Sequence, residues 1–471
     1  MKRFFISLLL IFSLLGLKGN AFAQANYING NSLTKDPVWG SSYYRYADGG
    51  DDVVTTEAEL WAAITAAAAN EPHIIPIATG ITLSATITIP AAKNIVLRKV
   101  VVENSEPEKG SYYRAANGKY IVQKWWNFGN PWVNTNAASP DLYDGEPDYF
   151  ITQPQTATFR HIIVSGSDVT LTLENITLQG NNPNTDVSVL DRAKTSPVTG
   201  GILVNETNFV FRGFIDKCAD IKYEYIGPAI CIAGNSNLNF KMLGGVISGC
   251  LSNIGGAIGF TQNTNNAYSI HTPNGGYTFQ ITGYTIIENC AAMEYGGAIC
   301  FIGGTLELSG STIIRNCKGR FGGAILFRNG GTAEIKDNVR IENCLSLAYE
   351  PKPRGNAGYS GLGGAFVTFG TPIINVRDNA TFANNRAMRG GGAFFLQTKA
   401  AELNLYGGVF TGNEATGEYR ELASTDAEVI RYSIGGGGAI YAYDPTVVKI
   451  PANSTVYFSG NKASSAAYID N

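Results

Sequence analysis

The sequence predicts an all-β protein, a parallel β-helix in which each coil of the chain stacks on the coil before it. Two repeating motifs favour this fold. Gly-Gly-Ala followed by Ile or Phe recurs along the second half of the chain, and an apolar residue recurs three positions before an asparagine. The composition agrees, because 55 glycines, 24 tyrosines and 15% charged residues are typical of short strands joined by turns. Disorder and a coiled coil both fit this composition poorly.

The glycine motif marks corners between strands. Paired glycines beside Ala-Ile would cost a helix about 1 kcal/mol each relative to alanine. A tight corner instead needs the backbone angles that glycine adopts, and alanine and isoleucine can fill a narrow interior. The pairs are Gly255 and Gly256, Gly296 and Gly297, Gly322 and Gly323, Gly363 and Gly364, Gly391 and Gly392, and Gly437 and Gly438.

The asparagine motif gives the length of one coil. The asparagines at positions 289, 316 and 343 are 27 residues apart, which fits one coil of a β-helix. The apolar runs span about 4 to 6 residues and are rich in Ile, Val, Phe and Thr, as expected of strands buried on one face. Asparagine satisfies backbone groups in turns, so we expect these residues to stack as a ladder. They are Asn289, Asn316, Asn343, Asn385, Asn413 and Asn461.

The first 23 residues are predicted to be a signal peptide. Lys2 and Arg3 precede an apolar stretch over 4–17, and Ala23 ends a small-residue cleavage site. The stretch is too short to be a good membrane span, so we expect no membrane span in the mature chain. Removal of the signal peptide takes the formal net charge from −3 to −6. This negative charge does not suggest nucleic acid as a partner.

An N-terminal extension over 24–56 is predicted to lead into a β-helix over 57–471. Thr56 and Glu59 have the spacing of a capping box, and 57–68 is rich in alanine. Since the ends of a solenoid core need covering, we predict a short capping helix over 57–68. The first coil is expected to start with strands over 74–102.

These motifs resemble the polymorphic outer membrane protein family of bacterial surface proteins. Passengers of that family carry Gly-Gly-Ala-Ile and Phe-x-x-Asn repeats on a right-handed parallel β-helix. The resemblance covers about 247–471, whereas 57–246 resembles only the wider right-handed β-helix class. It implies a secreted or cell-surface protein associated with the outer membrane. It also implies a structural or adhesive role, with a host surface protein or a glycan as the partner.

A column of charged residues is the one candidate for catalysis. Between the isoleucine and asparagine positions, successive coils place Asp216, Ser248, Glu288, Arg315 and Glu342. β-Helix polysaccharide lyases use carboxylates and a base on neighbouring coils, so Asp216, Glu288, Arg315 and Glu342 would be the catalytic residues of a lyase or hydrolase. The alternation of charge fits a stabilising ladder better, and we therefore expect no catalytic residues.

No metal ligand and no cofactor are predicted. The three histidines are scattered and belong to no recognisable motif. Calcium is the one ion that the acidic residues suggest, through the charged column or an acidic run, but this run lacks the glycine and the closing glutamate of an EF-hand loop. The acidic run comprises Asp141, Asp144, Glu146 and Asp148.

Five cysteines share one repeat position and should stack in consecutive coils. Neighbouring coils are about 4.8 Å apart, inside the Cα window of a disulfide, and an exported protein meets oxidising conditions. The alternative is a column of small buried thiols that point in parallel. The five are Cys218, Cys250, Cys290, Cys317 and Cys344.

Three excursions interrupt the coils near 181–199, 345–362 and 414–434. Each lies between the turn that ends one motif and the Gly-Gly that begins the next, so they should emerge on one side. Insertions at equivalent positions of a solenoid often form its binding face, although spacer loops without a partner would look the same. The candidate binding residues are Tyr349, Arg354, Tyr359, Tyr419, Arg420 and Tyr432.

An aromatic-rich insertion near 106–149 is a second candidate binding region. It contains Trp125, Trp126 and Trp132. If exposed, these rings would suit stacking against sugars; if folded against the solenoid, they would form a small satellite core.

Overall fold

The structure is a computed structural model of the 471-residue chain. It describes residues 54–99, 149–154, 156–181, 200–220, 226–234, 238–261, 276–348, 360–417 and 436–464. It also describes the backbones of two short antiparallel pairs, Thr34–Lys35 with Ser42–Tyr43 and Tyr112–Arg114 with Tyr120–Val122. The predicted signal peptide, most of the N-terminal extension and the three tryptophans of the aromatic-rich insertion lie outside these residues.

The described chain is an all-β solenoid of parallel strands, which confirms the predicted parallel β-helix. The coils from Ala219 onward visit four stacked rows of strands, and the described strands of the earlier coils belong to the first three rows only. One coil runs from Ile258–Thr261 in row 1 to Thr278–Ile281 in row 2, Thr285–Glu288 in row 3 and Ala291–Tyr295 in row 4. Rows 1 to 3 join into one 27-stranded sheet, because some strands run through two rows, and row 4 is a separate 8-stranded sheet.

Rows 1 and 4 flank the glycine motif. In the six coils that carry the motif, the strands of row 1 follow it and start at its isoleucine or phenylalanine. They are Ile87–Ile89, Ile162–Ser165, Ile202–Asn205, Ile230–Ala233, Ile258–Thr261, Ile299–Ile302, the first part of Ile325–Ile335, the first part of Phe366–Val376, Phe394–Leu396 and Ile440–Ala442. The strands of row 4 precede the motif. They are Ala219–Asp220, Leu251–Ile254, Ala291–Tyr295, Lys318–Gly319, Leu345–Ser346, Arg386–Ala387, Glu414–Ala415 and Lys462–Ala463.

Rows 2 and 3 form the rest of each coil. Row 2 contains Pro72–Ile77, Asn94–Lys99, the first parts of Val169–Gln179, Phe209–Asp216 and Asn239–Ser248, then Thr278–Ile281, Thr305–Leu308, the last parts of Ile325–Ile335 and Phe366–Val376, Glu402–Leu405 and Val448–Lys449. Row 3 contains Ile81–Thr82, Tyr149–Thr152, the last parts of Val169–Gln179, Phe209–Asp216 and Asn239–Ser248, then Thr285–Glu288, Ile313–Arg315, Arg340–Glu342, Thr381–Ala383, Gly407–Thr411 and Thr455–Ser459.

The core runs along the inside of the coils. Because successive side chains of a strand point to opposite faces, one residue in two faces inward, and like residues stack on like. Phe382 and Phe410 are completely buried, with parallel rings whose centroids are 5.0 Å apart. Continuous columns of this kind bury apolar surface without requiring any one coil to fold alone.

A short helix, α1 (Glu57–Ala66), covers the N-terminal end of this core. The predicted capping box is present, since the Thr56 hydroxyl accepts from the Glu59 backbone N–H and the Glu59 carboxylate accepts from Thr56. Leu60 and Ile64 are buried against the first coils. The helix is two residues shorter than predicted. A 3₁₀ turn, Pro445–Val447, lies between rows 1 and 2 of the last described coil.

Glycine is required at the corners for two different reasons. The first glycine of each pair has a positive φ, 62° at Gly296, as the sequence predicted. The second glycine does not. A Cβ on Gly297 would lie only 2.0 Å from the carbonyl oxygen of Gly323 in the next coil, so close approach of coils excludes a side chain there.

The prediction of a single asparagine ladder was wrong. Asn289, Asn316 and Asn343 occupy a turn position with φ between 53° and 56°. Asn385 lies one position further on, in register with Cys344, because Arg386 pairs with Leu345. Equal spacing from an apolar residue concealed this shift, since the apolar residue faces inward in one motif and outward in the other.

The true asparagine ladder continues the cysteine column. Asn385 Oδ1 accepts from the Cys344 backbone N–H at 3.0 Å, and Asn413 and Asn461 repeat the bond one coil later each time. The amide nitrogens donate along the same column, from Asn385 to Asn413 at 3.0 Å and from Asn413 to Asn461 at 2.9 Å. These bonds satisfy the buried backbone N–H groups of Cys344 and Asn385 and that of Asn413.

Candidate functional site

The charged column on row 3 has the predicted register. Asp216 pairs with Ser248, Ser248 with Glu288, Glu288 with Arg315, and Arg315 with Glu342. All five side chains point away from the core, because the neighbouring isoleucines of the same strands point inward. The structure therefore brings the four candidate catalytic residues into one column.

The charged side chains of this column are paired with opposite charges. Two guanidinium nitrogens of Arg315 contact Glu288 Oε2, each at 2.7 Å, and Glu342 pairs with Arg340 at 2.6 Å. The side chains of Arg315 and Glu288 are only 20% and 18% exposed. This is less exposed than the solvated column that the stabilising interpretation assumed, so the Glu288–Arg315 pair should be worth more than a surface salt bridge.

Asp216 stands apart at the N-terminal end of the column. Burial raises the pKa of its carboxyl above the ordinary range, although Lys217, whose ammonium lies 3.4 Å away, opposes the shift. Beside the column runs an outward-facing apolar strip whose residues are only 2% to 7% exposed. The strip consists of Phe214, Val246, Tyr284, Ile286 and Ile313.

A second polar ladder, on the outer face of row 2, was missed by the sequence analysis. Glu307 binds Lys336 at 2.9 Å and Gln280 at 2.9 Å, and the contact with Lys336 lowers the pKa of Glu307. In the next coils Glu334 pairs with Arg377 at 3.0 Å. The alternation of apolar and polar residues in Thr305–Leu308 could have indicated an outward column, but only the register shows which polar residues meet.

This row 2 ladder continues to the last described coil. Asn404 donates to Asn375 Oδ1 at 2.9 Å, Asn375 donates to Glu334, and Glu402 pairs with Lys449. The contact with Lys449 lowers the pKa of Glu402. Each carboxylate in the ladder thus has a cation or an amide beside it, as expected of a stabilising network.

The structure describes no metal centre. Within the described ranges, no group of three or more His, Cys, Asp or Glu side chains is placed to hold a metal ion. The acidic run over 141–148 lies outside those ranges. No helix in them has the length and apolar character that crossing a membrane requires.

The five stacked cysteines are buried free thiols. All five adopt one arrangement, in which the thiol faces the carbonyl oxygen two residues earlier, at 3.2 Å for Cys250 and 3.1 Å for Cys290. Burial raises the pKa of the Cys250 and Cys290 thiols. Parallel thiols of this kind match the buried-thiol alternative.

Cys231 and Cys300 belong to another column, on the outer side of row 1. Gly259 separates them, because Cys231 pairs with Gly259 and Gly259 with Cys300. Cys300 is buried, which raises the pKa of its thiol to about 12.

Cys300 is part of an apolar strip outside the coils, at the corner between rows 4 and 1. The strip contains residues that directly precede Gly-Gly and residues that directly follow Ala-Ile or Ala-Phe. The sequence analysis did not recognise this pattern. Tyr295 and Phe321 stack with ring centroids 5.3 Å apart. Its buried members are Ile226, Ile254, Cys300, Ile302, Phe321, Leu326, Leu362, Val367 and Phe395.

The excursions leave the solenoid at this same corner. The ranges predicted near 345–362 and 414–434 begin with the row 4 strands Leu345–Ser346 and Glu414–Ala415, and the chain returns at Leu362 and Gly436. Leu362 and Gly436 both bridge to Gly390, which lies between them, so the return points lie in one column, two coils apart. All the predicted binding tyrosines, arginines and tryptophans lie outside the described residues.

No protein-family model, curated protein or solved structure matches this chain. The fold places the chain in the class of parallel β-helix proteins.

Proposed function

We propose that this protein is an exported, non-catalytic β-helix passenger that acts as a structural or adhesive module at the bacterial cell surface. The observation that supports this best is the shared corner between rows 4 and 1. Two excursions start after equivalent row 4 strands and return at Leu362 and Gly436, beside a buried apolar strip. A rigid scaffold that presents several loops on one side is a common design of binding proteins.

The charged column supports the non-catalytic part of the proposal. A catalytic base needs a proton-accepting group that is available to the substrate. Here Glu288 and Arg315 already bind each other, and Glu342 is paired with Arg340. The column follows the strand register and these charges are already paired, which favours a structural role over polysaccharide cleavage.

The predicted signal peptide and the resemblance to polymorphic outer membrane proteins support the exported, outer-membrane-associated location and the choice of a host surface protein or glycan as the partner. No cofactor is part of the proposal.

Two assays on the mature chain test it. Binding to a glycan array and to immobilised host-cell surface proteins should be detected, and should fall when Tyr349, Arg354 and Tyr359 are replaced together by serine. A double replacement of Thr305 and Thr332 by serine, on row 2, is the control and should bind normally. Release of unsaturated sugar from acidic polysaccharides with added calcium, lost in Arg315→Gln, would instead establish a lyase.

A further inference from the structure

The last described coil leaves an apolar strand edge open. Thr455–Ser459 pairs on one side with Gly407–Thr411, and no other strand in the described ranges pairs with its opposite side. Phe458 continues the stack of buried phenylalanines, 4.9 Å from Phe410 between ring centroids. Yet Phe458 is 44% exposed and Tyr457 is 60% exposed, whereas Phe410 is fully buried.

This edge lacks the usual protection against pairing. Exposed strand edges are commonly blunted by charged residues or proline. The neighbouring row 2 edge has both, since Lys449 pairs with Glu402 and Pro451 follows the strand. The strand Thr455–Ser459 has the sequence Thr-Val-Tyr-Phe-Ser, with no charge, no proline and high β propensity.

The sequence of the strand is complementary to itself. In an antiparallel pair centred on Tyr457, Thr455 would face Ser459 and Val456 would face Phe458 of a second copy. Val456 packs against the core and Phe458 extends it, so both point inward and the pairing would join the two cores. Head-to-tail stacking is blocked, because α1 covers the N-terminal end with Leu60 and Ile64. A two-fold arrangement therefore closes at two copies and does not propagate into a fibre.

We propose that two copies of this chain associate tail to tail through the outer edges of Thr455–Ser459. The partner is a second copy, because each inward apolar residue of one strand, Val456 or Phe458, faces an apolar residue of the other strand. The strand also brings no charged residue into the interface. Backbone hydrogen bonds along the strand give the contact its affinity, and burial of Val456 and Phe458 adds to it.

Sedimentation velocity of the mature full-length chain tests this proposal. The wild type should form a dimer with increasing concentration. Tyr457→Lys brings two ammonium groups together on the two-fold axis and should weaken the dimer about 100-fold or more. Thr381→Lys is the matched control: its side chain lies in the same outward column two coils away, next to Arg340, and should leave dimerisation unchanged.

Crosslinking identifies the contact. In Tyr457→Cys the two new thiols lie opposite each other, so oxidised glutathione should convert them to one intermolecular disulfide with release of two reduced glutathiones. Thr381→Cys should give no such dimer. The proposal is overturned if the wild type is monomeric at all concentrations, or if the dimer tolerates Tyr457→Lys. It is also overturned if a dimer forms only after removal of 465–471, because the chain's own tail then covers the edge.

Discussion

Substitution of Gly297 by alanine is the sharpest test of how the coils are spaced. A Cβ at this position would lie 2.0 Å from Gly323 O and 2.6 Å from Lys318 O, both backbone atoms of the next coil. Non-bonded heavy atoms settle at roughly 3.5 Å, so the two coils would have to separate locally by about 1.5 Å.

The backbone hydrogen bonds between these coils resist such a separation. Gly297 N–H donates to Gly322 O at 3.0 Å, and Ala298 N–H donates to Ala324 O at 2.8 Å. Weakening both bonds costs about 1 kcal/mol each, and the overpacking itself costs about 1 to 3 kcal/mol. We therefore expect Gly297→Ala to lower the free energy of unfolding by about 3 to 5 kcal/mol.

Urea unfolding with hydrogen exchange measures this loss. Exchange should accelerate most in the coils around Gly297, since solenoid coils open locally. Gly330→Ala is the control, because a Cβ there meets only the Thr371 hydroxyl at 3.2 Å, and its stability should change by less than about 1 kcal/mol. If the two variants unfolded alike, close approach of the backbones would not be the reason for the second glycine.

Three further outcomes are expected. Arg315→Gln leaves Glu288 half-buried without its cation and should cost about 1 to 2 kcal/mol in thermal unfolding, and a loss no greater than that of the more exposed Arg377→Gln would refute the special role of the row 3 pair. Because the folded-state pKa of Asp216 is raised, the wild type should lose stability relative to Asp216→Asn as pH rises from about 4 through that pKa, so curves that run parallel across this pH range would contradict the shift. None of the seven cysteines should react with a thiol reagent such as DTNB in the native protein, and all seven should react in denaturant; fewer titrated thiols would reveal disulfides.

The sequence by itself determined the fold class and the periodic parts of the surface. Glycine pairs and apolar runs repeat because every coil meets the same neighbour, so a local pattern specifies a local structure that is then copied. The stacked cysteines and the register of Glu288, Arg315 and Glu342 follow from this repetition. The capping box at Thr56 and Glu59 follows from local spacing alone.

The tertiary structure decided which residues meet between coils. Asn385 lies one repeat position after the position of Asn343. The spacing from the preceding apolar residue could not reveal this shift, because both inward-facing and outward-facing residues of these strands are apolar. The close contact at Gly297 involves residues 26 positions away, and the outer strip joins residues on both sides of the glycine motif. Such contacts depend on the distance between coils, and that distance is fixed by the stacking of the whole solenoid.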